Sequence, residues 1–247
     1  MREGMTSDTG APEVTSFGWR SLGSAAALGL IALSVIGALL FGMDPFIVVF
    51  LVVFGVTFLL LRRRGKAGPI VLLVVSGLVL ALIAPFSFSD LLHPESWRSF
   101  LLSLGMFVGA AIGVLAGIGT LARWKPQLAV SVGMVGIGVL VLGLLAAAAG
   151  ATTVSNDEMV TGDLVVTASD VSFNPGTLSI PSGSIGIFIE NEDPVRHTFT
   201  VKELGVDAEL PAGKDRRVVL VASAGTYHVV CTVPGHESMS MTLTVEG

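Results

Sequence analysis

The stretch YHVVCTVPGHESMSM, residues 227–241, holds the only cysteine of the 247-residue chain and two of its four histidines. Tyr227, Val229 and Cys231 alternate, which sets them on one face of a β-strand. The run TVPG then turns the chain, with Gly235 free to take a backbone conformation few residues adopt. His236 falls on the turn, and Met239 opens a returning strand. One hairpin end thus gathers a thiol, an imidazole and thioethers from Met239 and Met241. His228 lies between Tyr227 and Val229, so alternation points it outward, as a surface histidine.

The neighbouring sequence has the same character. From about residue 163 the runs LVVTASDVSFNP, TLSIPSG, SIGIFIENED, RHTFTVKEL, RRVVLVASAGTYHVVC and MSMTLTVEG read as short strands punctuated by Gly, Pro, Asn and Asp. His197, Phe199 and Val201 alternate on another strand. About 85 residues of this kind make a small β-sandwich. Thiolate with imidazole and thioether selects copper, and two His plus one Cys in a plane with a weak axial Met is the blue-copper geometry. The second histidine must come from outside the hairpin, and His197, in NEDPVRHTF (191–199), is the candidate. Asp170, Glu190, Glu192, Asp193 and Glu237 read as a solvated acidic surface.

NEDPVRHTF followed by GTYHVVCTVPGHESM resembles the cupredoxin family of plastocyanin, azurin and amicyanin. VSFNPGTLSIPSG is similar to the first strands of many such domains, and the likeness covers about residues 163–247. It implies a Greek-key sandwich holding one mononuclear type 1 copper ion through His197, Cys231, His236 and a methionine. Both Met239 and Met241 have the required strand parity. Many members place the methionine five residues after the second histidine, which is Met241 here. Aligning MTLTVEG with the family's terminal strand puts it at Met239 instead, and Met239 is the expected fourth ligand. A two-copper centre needs a second cysteine, and multicopper oxidases need further histidines. With four protein ligands no position is open to a substrate. The resemblance therefore implies a one-electron carrier and not an enzyme. The His236 edge would be its exposed electron port, with Val233 and Pro234 as docking patch.

The rest of the chain is of another kind. Overall 52% of residues are hydrophobic and 13% charged, against roughly 25% charged in soluble domains; mean hydropathy is +0.81. The apolar mass lies before about residue 152, in runs at 24–42, 46–61, 69–86, 99–122 and 127–150. Crossing a bilayer takes about 20 residues, so these predict a five-helix transmembrane bundle; one long broken helix over the first two runs is the alternative. Arg20, the cluster Arg62–Lys66 and the pair Arg123 and Lys125 fall where a five-span count puts one side of the membrane. The positive-inside rule makes that side cytoplasmic and residues 152 onward extracytoplasmic, at an inner or cell membrane. The N-terminal run is long and partly acidic, and no A-x-A site follows the first apolar run, which argues against a cleaved signal. The spans carry no Asp, Glu, Lys, Arg or His, which argues against a pump. His93, the one histidine of this half, sits in a loop, so transmembrane haem is not expected. Gly105, Gly109, Gly113 and Gly117 form one helix stripe, read as packing within the bundle or as a face for another subunit.

The expected organisation is a disordered cytoplasmic tail (1–22), a transmembrane domain (23–151), a linker (152–162) and a copper domain (163–247). Residues 1–151 carry nine Lys/Arg and six Asp/Glu, net +3, and residues 152–247 carry five and thirteen, net −8. So acidic a domain excludes nucleic acid and suits a basic protein. The expected partners are the lipid bilayer and a membrane or extracytoplasmic redox protein, with no small-molecule substrate. The leading functional expectation is a membrane-anchored blue copper electron carrier. The alternative is a copper-handling membrane protein without redox turnover; a metal-free sensory or structural domain is disfavoured by the complete ligand set.

Overall fold

The computed structural model describes residues 17–43 and 45–247. Five helices come first: α1 (Trp19–Phe41), α2 (Pro45–Arg62), α3 (Ala67–Asp90), α4 (Trp97–Leu121) and α5 (Pro126–Thr153). All five are long and apolar enough to cross a membrane. Pro45 and Pro126 stand at helix starts, where a missing N–H costs nothing. α1 and α2 are two separate helices, each long and apolar enough to span, so the one-broken-helix alternative is not what forms. Of the expected disordered tail, residues 1–16 lie outside the described residues, and α1 already begins at Trp19.

The three basic clusters meet at one end of the bundle. Arg20 donates to the carbonyls of Leu61, Arg63 and Gly65. The Trp19 indole N–H is shared between the carbonyls of Trp124 and Lys125, at 3.1 and 3.2 Å, and the Trp19 ring meets Trp124 edge-on. These bonds close the α2–α3 and α4–α5 turns over the start of α1.

The glycine stripe of α4 is consumed inside the bundle. A Cβ on Gly105 or Gly109 would stand 2.9 Å from a methyl of Leu33 or Leu30 of α1. On Gly113 it would run into Ser76, and on Gly117 it would stand 2.8 Å from the Leu73 Cβ and 3.0 Å from the Pro69 carbonyl, all on α3. Small residues let these backbones approach, which is how helices associate where water supplies no hydrophobic drive. Packing within the bundle, not a subunit face, is what this stripe does.

Nine strands follow: β1 (Leu164–Ser169), β2 (Ser172–Asn174), β3 (Thr177–Pro181), β4 (Gly183–Asn191), β5 (His197–Val201), β6 (Val206–Leu210), β7 (Asp215–Ala222), β8 (Gly225–Val230) and β9 (Ser240–Glu246). They form two sheets, ordered β2-β1-β4-β7 and β3-β9-β8-β5-β6. The chain crosses between sheets repeatedly, so β1 pairs with β4 and β3 with β9 in parallel. Val166, Ile187, Ile189, Phe199, Leu220, Val229 and Leu243 fill the space between them. In the second sheet β5 lies beside β8, which brings His197 to the end of the sandwich where the β8–β9 loop carries Cys231 and His236.

Residues 154–163 are strapped to the sandwich rather than slack. Asp157 accepts from the Arg217 amide at 2.9 Å and donates its own amide to the Asp215 carbonyl. Asp163 holds the Arg217 guanidinium through two bonds of 2.7 and 2.8 Å. That pairing pulls the Asp163 carboxyl below the usual carboxylate range.

Replacing Gly117 by Val should destabilise the bundle, since overpacking of this kind costs about 1–3 kcal/mol. Gly77→Ala, where a Cβ meets nothing within 4 Å, is the control. Thermal unfolding in detergent should show a lowered Tm for the first only. Equal Tm values would contradict the close-packed stripe.

Candidate metal centre

Cys231 stands one residue past the end of β8. Its amide still bonds the Met239 carbonyl at 3.0 Å, extending the β8–β9 ladder by one step. Between the two, Val233 to His236 forms a tight turn closed by the His236 amide on the Val233 carbonyl. Gly235 has φ +92° there, a conformation that favours glycine. The Glu237 carboxylate accepts the Gly235 amide at 2.9 Å, which holds the Glu237 carboxyl below its usual range.

The structure brings His197, Cys231 and His236 together: one donor atom from each lies within 4.8 Å of the others. The Cys231 Sγ is 3.9 Å from His197 Nδ1 and 3.8 Å from His236 Nδ1. The imidazole rings lie 4.8 Å apart, tilted by 41°. Bonds of about 2.3 Å to thiolate and 2.0 Å to imidazole, typical of zinc, set ~120° apart leave sulfur and nitrogen about 3.7 Å from each other. Both sulfur–nitrogen distances therefore suit donors that would share one ion.

Met239 is buried, at 1% exposure, and lies directly across the ladder from Cys231. Opposed residues share a face, with Cβ atoms about 4.5–5.5 Å apart. Met241 is also buried but pairs with Val229, two residues further along, which is roughly 7 Å. His228 is exposed on β8.

The surroundings hold the donors in place. His197 has no exposed surface, and its Nε2 meets the Asp193 carboxylate at 2.8 Å. A carboxylate only accepts, so Nε2 carries the proton and Nδ1 keeps its lone pair toward Cys231. Asp193 is itself 8% exposed and accepts the amides of Asp170 and Val171 at 2.8 and 3.0 Å. The expectation that Asp193 belongs to a solvated acidic surface is thus corrected: it is a buried support of His197. Asn191 anchors the same loop, donating to the carbonyls of Val195, Leu210 and Pro211 and accepting the Asp193 amide. Thr198 directs its amide at Cys231 Sγ, 3.4 Å away, while its hydroxyl accepts the Thr232 amide at 2.8 Å. None of Asp193, Asn191 or Thr198 stood out in the sequence. The one signal was a carboxylate four residues before a histidine, the spacing of many loop turns with no metal nearby.

Burial holds both imidazoles neutral. It lowers the His197 pKa, against the pull of Asp193, and it lowers His236 to about 4, with the charge of His197 adding to the effect. Neutral imidazole is the form that binds metal.

The expected exposed port is only partly open. His236 is half-buried, Val233 is buried at 6% and Pro234 is exposed. A methyl on Gly235 would sit 3.4 Å from the Phe86 ring of α3, so the bundle covers part of this end.

Residues 138–245 match the family described as a cupredoxin-like domain. The match begins within α5 and runs over the whole sandwich up to the penultimate residue of β9. Similar solved structures include a Cu(I) form of an amicyanin variant, 21% identical over 38% of this chain and 90% of that one, with a TM-score of 0.33. Another is auracyanin B, 23% identical over 38% and 94%, with a TM-score of 0.32. No curated protein matches the chain. The C-terminal domain is a cupredoxin domain.

Two outcomes test the site. Asp193→Asn should weaken copper affinity by about 10–100-fold, the usual cost of losing an outer partner of a metal-bound histidine; unchanged affinity by competitive chelation would contradict its role. In the metal-free protein, the unfolded imidazoles take protons near pH 6.5 while folded His236 waits until about 4. Stability should therefore rise with pH across that window and be complete above it. A flat denaturation profile between pH 4 and 6.5 would contradict the neutral, buried pair.

Proposed function

We propose that this chain is a membrane-anchored blue copper protein that carries single electrons at the outer face of the membrane, with His197, Cys231, His236 and Met239 holding one copper ion. The observation that carries the reading is the approach of the Cys231 Sγ to both imidazole Nδ1 atoms, at 3.9 Å for His197 and 3.8 Å for His236. Copper bound there would supply a one-electron Cu(II)/Cu(I) couple.

The chain's own residues suit that role. Asp193 fixes the tautomer of His197, and Thr198 directs an amide at the sulfur. Both strands are pinned at the site, so donor positions change little between oxidation states. Burial of Cys231, His197 and Met239 excludes water. Four protein donors leave no place for a substrate, which supports a carrier over an enzyme. Met239 is favoured over Met241 because it faces Cys231 across the ladder.

The proposed division is a cytoplasmic tail (1–22), a transmembrane domain (23–151), a linker (152–162) and a copper domain (163–247). Gathering of Arg20, Arg62–Lys66 and Arg123 at one bundle end supports a cytoplasmic face there. The copper domain follows from the opposite end, which supports an extracytoplasmic location. The net charge of −8 on residues 152–247 favours a basic face on the redox partner.

Full-length protein given Cu(II) should develop an intense visible thiolate-to-copper band that reductant bleaches and oxidant restores. Cys231→Ser should abolish it, and Met239→Ala should shift band and potential far more than Met241→Ala. A tight colourless Cu(I) complex without reversible oxidation would favour copper handling instead.

A further inference from the structure

The copper end of the sandwich does not stand free above the bundle. Arg196, next to His197, is 4% exposed and reaches into the α3–α4 corner. Its guanidinium bonds the Ser89 hydroxyl, has Nε 3.8 Å from an Asp90 oxygen, and pairs with Glu209 of β6 at 3.1 Å. Beside it, the Ala212 amide donates to the Ser96 hydroxyl at 3.2 Å, and His93 lies 4.0 Å from Glu209. Phe86, four residues before Asp90, lies against Gly235 on the loop that carries His236. The end of α5 packs on the same corner, since a Cβ on Gly150 would collide with the Pro94 backbone. With residues 156–163 strapped to β7, the sandwich is held from two sides.

A charge as buried as Arg196 needs its counter-charges. One comes from its own sandwich, Glu209, and the other from the bundle, Asp90. The match of charges across the two domains identifies what occupies this end. We propose that the α3–α4 corner is an internal docking partner that caps the copper end and closes the His236 face to soluble redox proteins, held there jointly by the Asp90–Arg196 and Ser96–Ala212 contacts, so that loss of either one opens it. This gives the five-helix bundle a task beyond anchoring. The inference rests on the copper reading above.

The test uses the full chain in lipid nanodiscs. In metal-free protein, amide hydrogen exchange over residues 209–214 should be at least tenfold faster in Asp90→Asn than in wild type. The same gain is expected of Ser96→Ala, which removes the Ala212 contact without touching the ion pair. In the copper-loaded, reduced protein, oxidation by soluble ferricytochrome c should be at least tenfold faster in both variants. Oxidation by ferricyanide, small enough to reach a partly covered imidazole, should change less than twofold. Cytochrome c is basic and the sandwich acidic, so a slow wild-type reaction would not come from repulsion. Unchanged exchange, or equal cytochrome c rates in wild type and variants that keep the visible band, would overturn the docking alone. Absence of a visible band in wild type would overturn the copper reading and this inference with it.

Discussion

The bridge between β5 and β8 at their outer ends is the constraint on which the site depends. Thr198 and Cys231 are 33 residues apart, yet the Thr198 amide faces the Cys231 sulfur and the Thr232 amide returns to the Thr198 hydroxyl. These two bonds fasten together the strand that presents His197 and the strand that ends in Cys231. They extend the β5–β8 pairing to the sheet end, where the thiol and the first imidazole meet. The β8–β9 hairpin then needs only local geometry to add His236 and Met239. Non-local pairing is entropically expensive to close, and the sandwich core offsets it. Phe199, Val229 and Leu243 are fully buried on the three adjoining strands just behind the site.

Around this bridge the polar groups are satisfied in a chain. Asn191 ties three carbonyls of the loop and takes the Asp193 amide; Asp193 takes two amides from the β1–β2 turn and the Nε2 proton of His197. Buried polar groups that find partners specify one arrangement, whereas the same groups unpaired would each be costly. A rigid donor set is what outer-sphere electron transfer asks of a protein.

Much of this was legible before the structure. Strand alternation set Cys231 on the face of Tyr227 and Val229, and a change from long apolar runs to short punctuated ones marked two kinds of domain. Basic clusters at Arg20, Arg62–Lys66 and Arg123 marked one end of the bundle, where Arg20 donates to the carbonyls of Leu61 and Arg63. The support of His197 was not legible, because Asp193 looks like any acidic loop residue until folding buries it. Nor was the docking of Arg196, which joins residues 107 positions apart from Ser89; contacts across domains leave no period in a sequence. The exposed port was overestimated for the same reason, since only the folded chain sets Phe86 against Gly235.

The central claim is that one copper ion sits among one sulfur and two imidazoles in this chain. X-ray absorption at the copper edge, on the full-length protein loaded with one equivalent, tests it most directly. The account predicts a first shell of one short sulfur and two imidazole nitrogens, with the sulfur lost in Cys231→Ser and the nitrogens kept. A shell of nitrogen and oxygen alone in the wild type would contradict it.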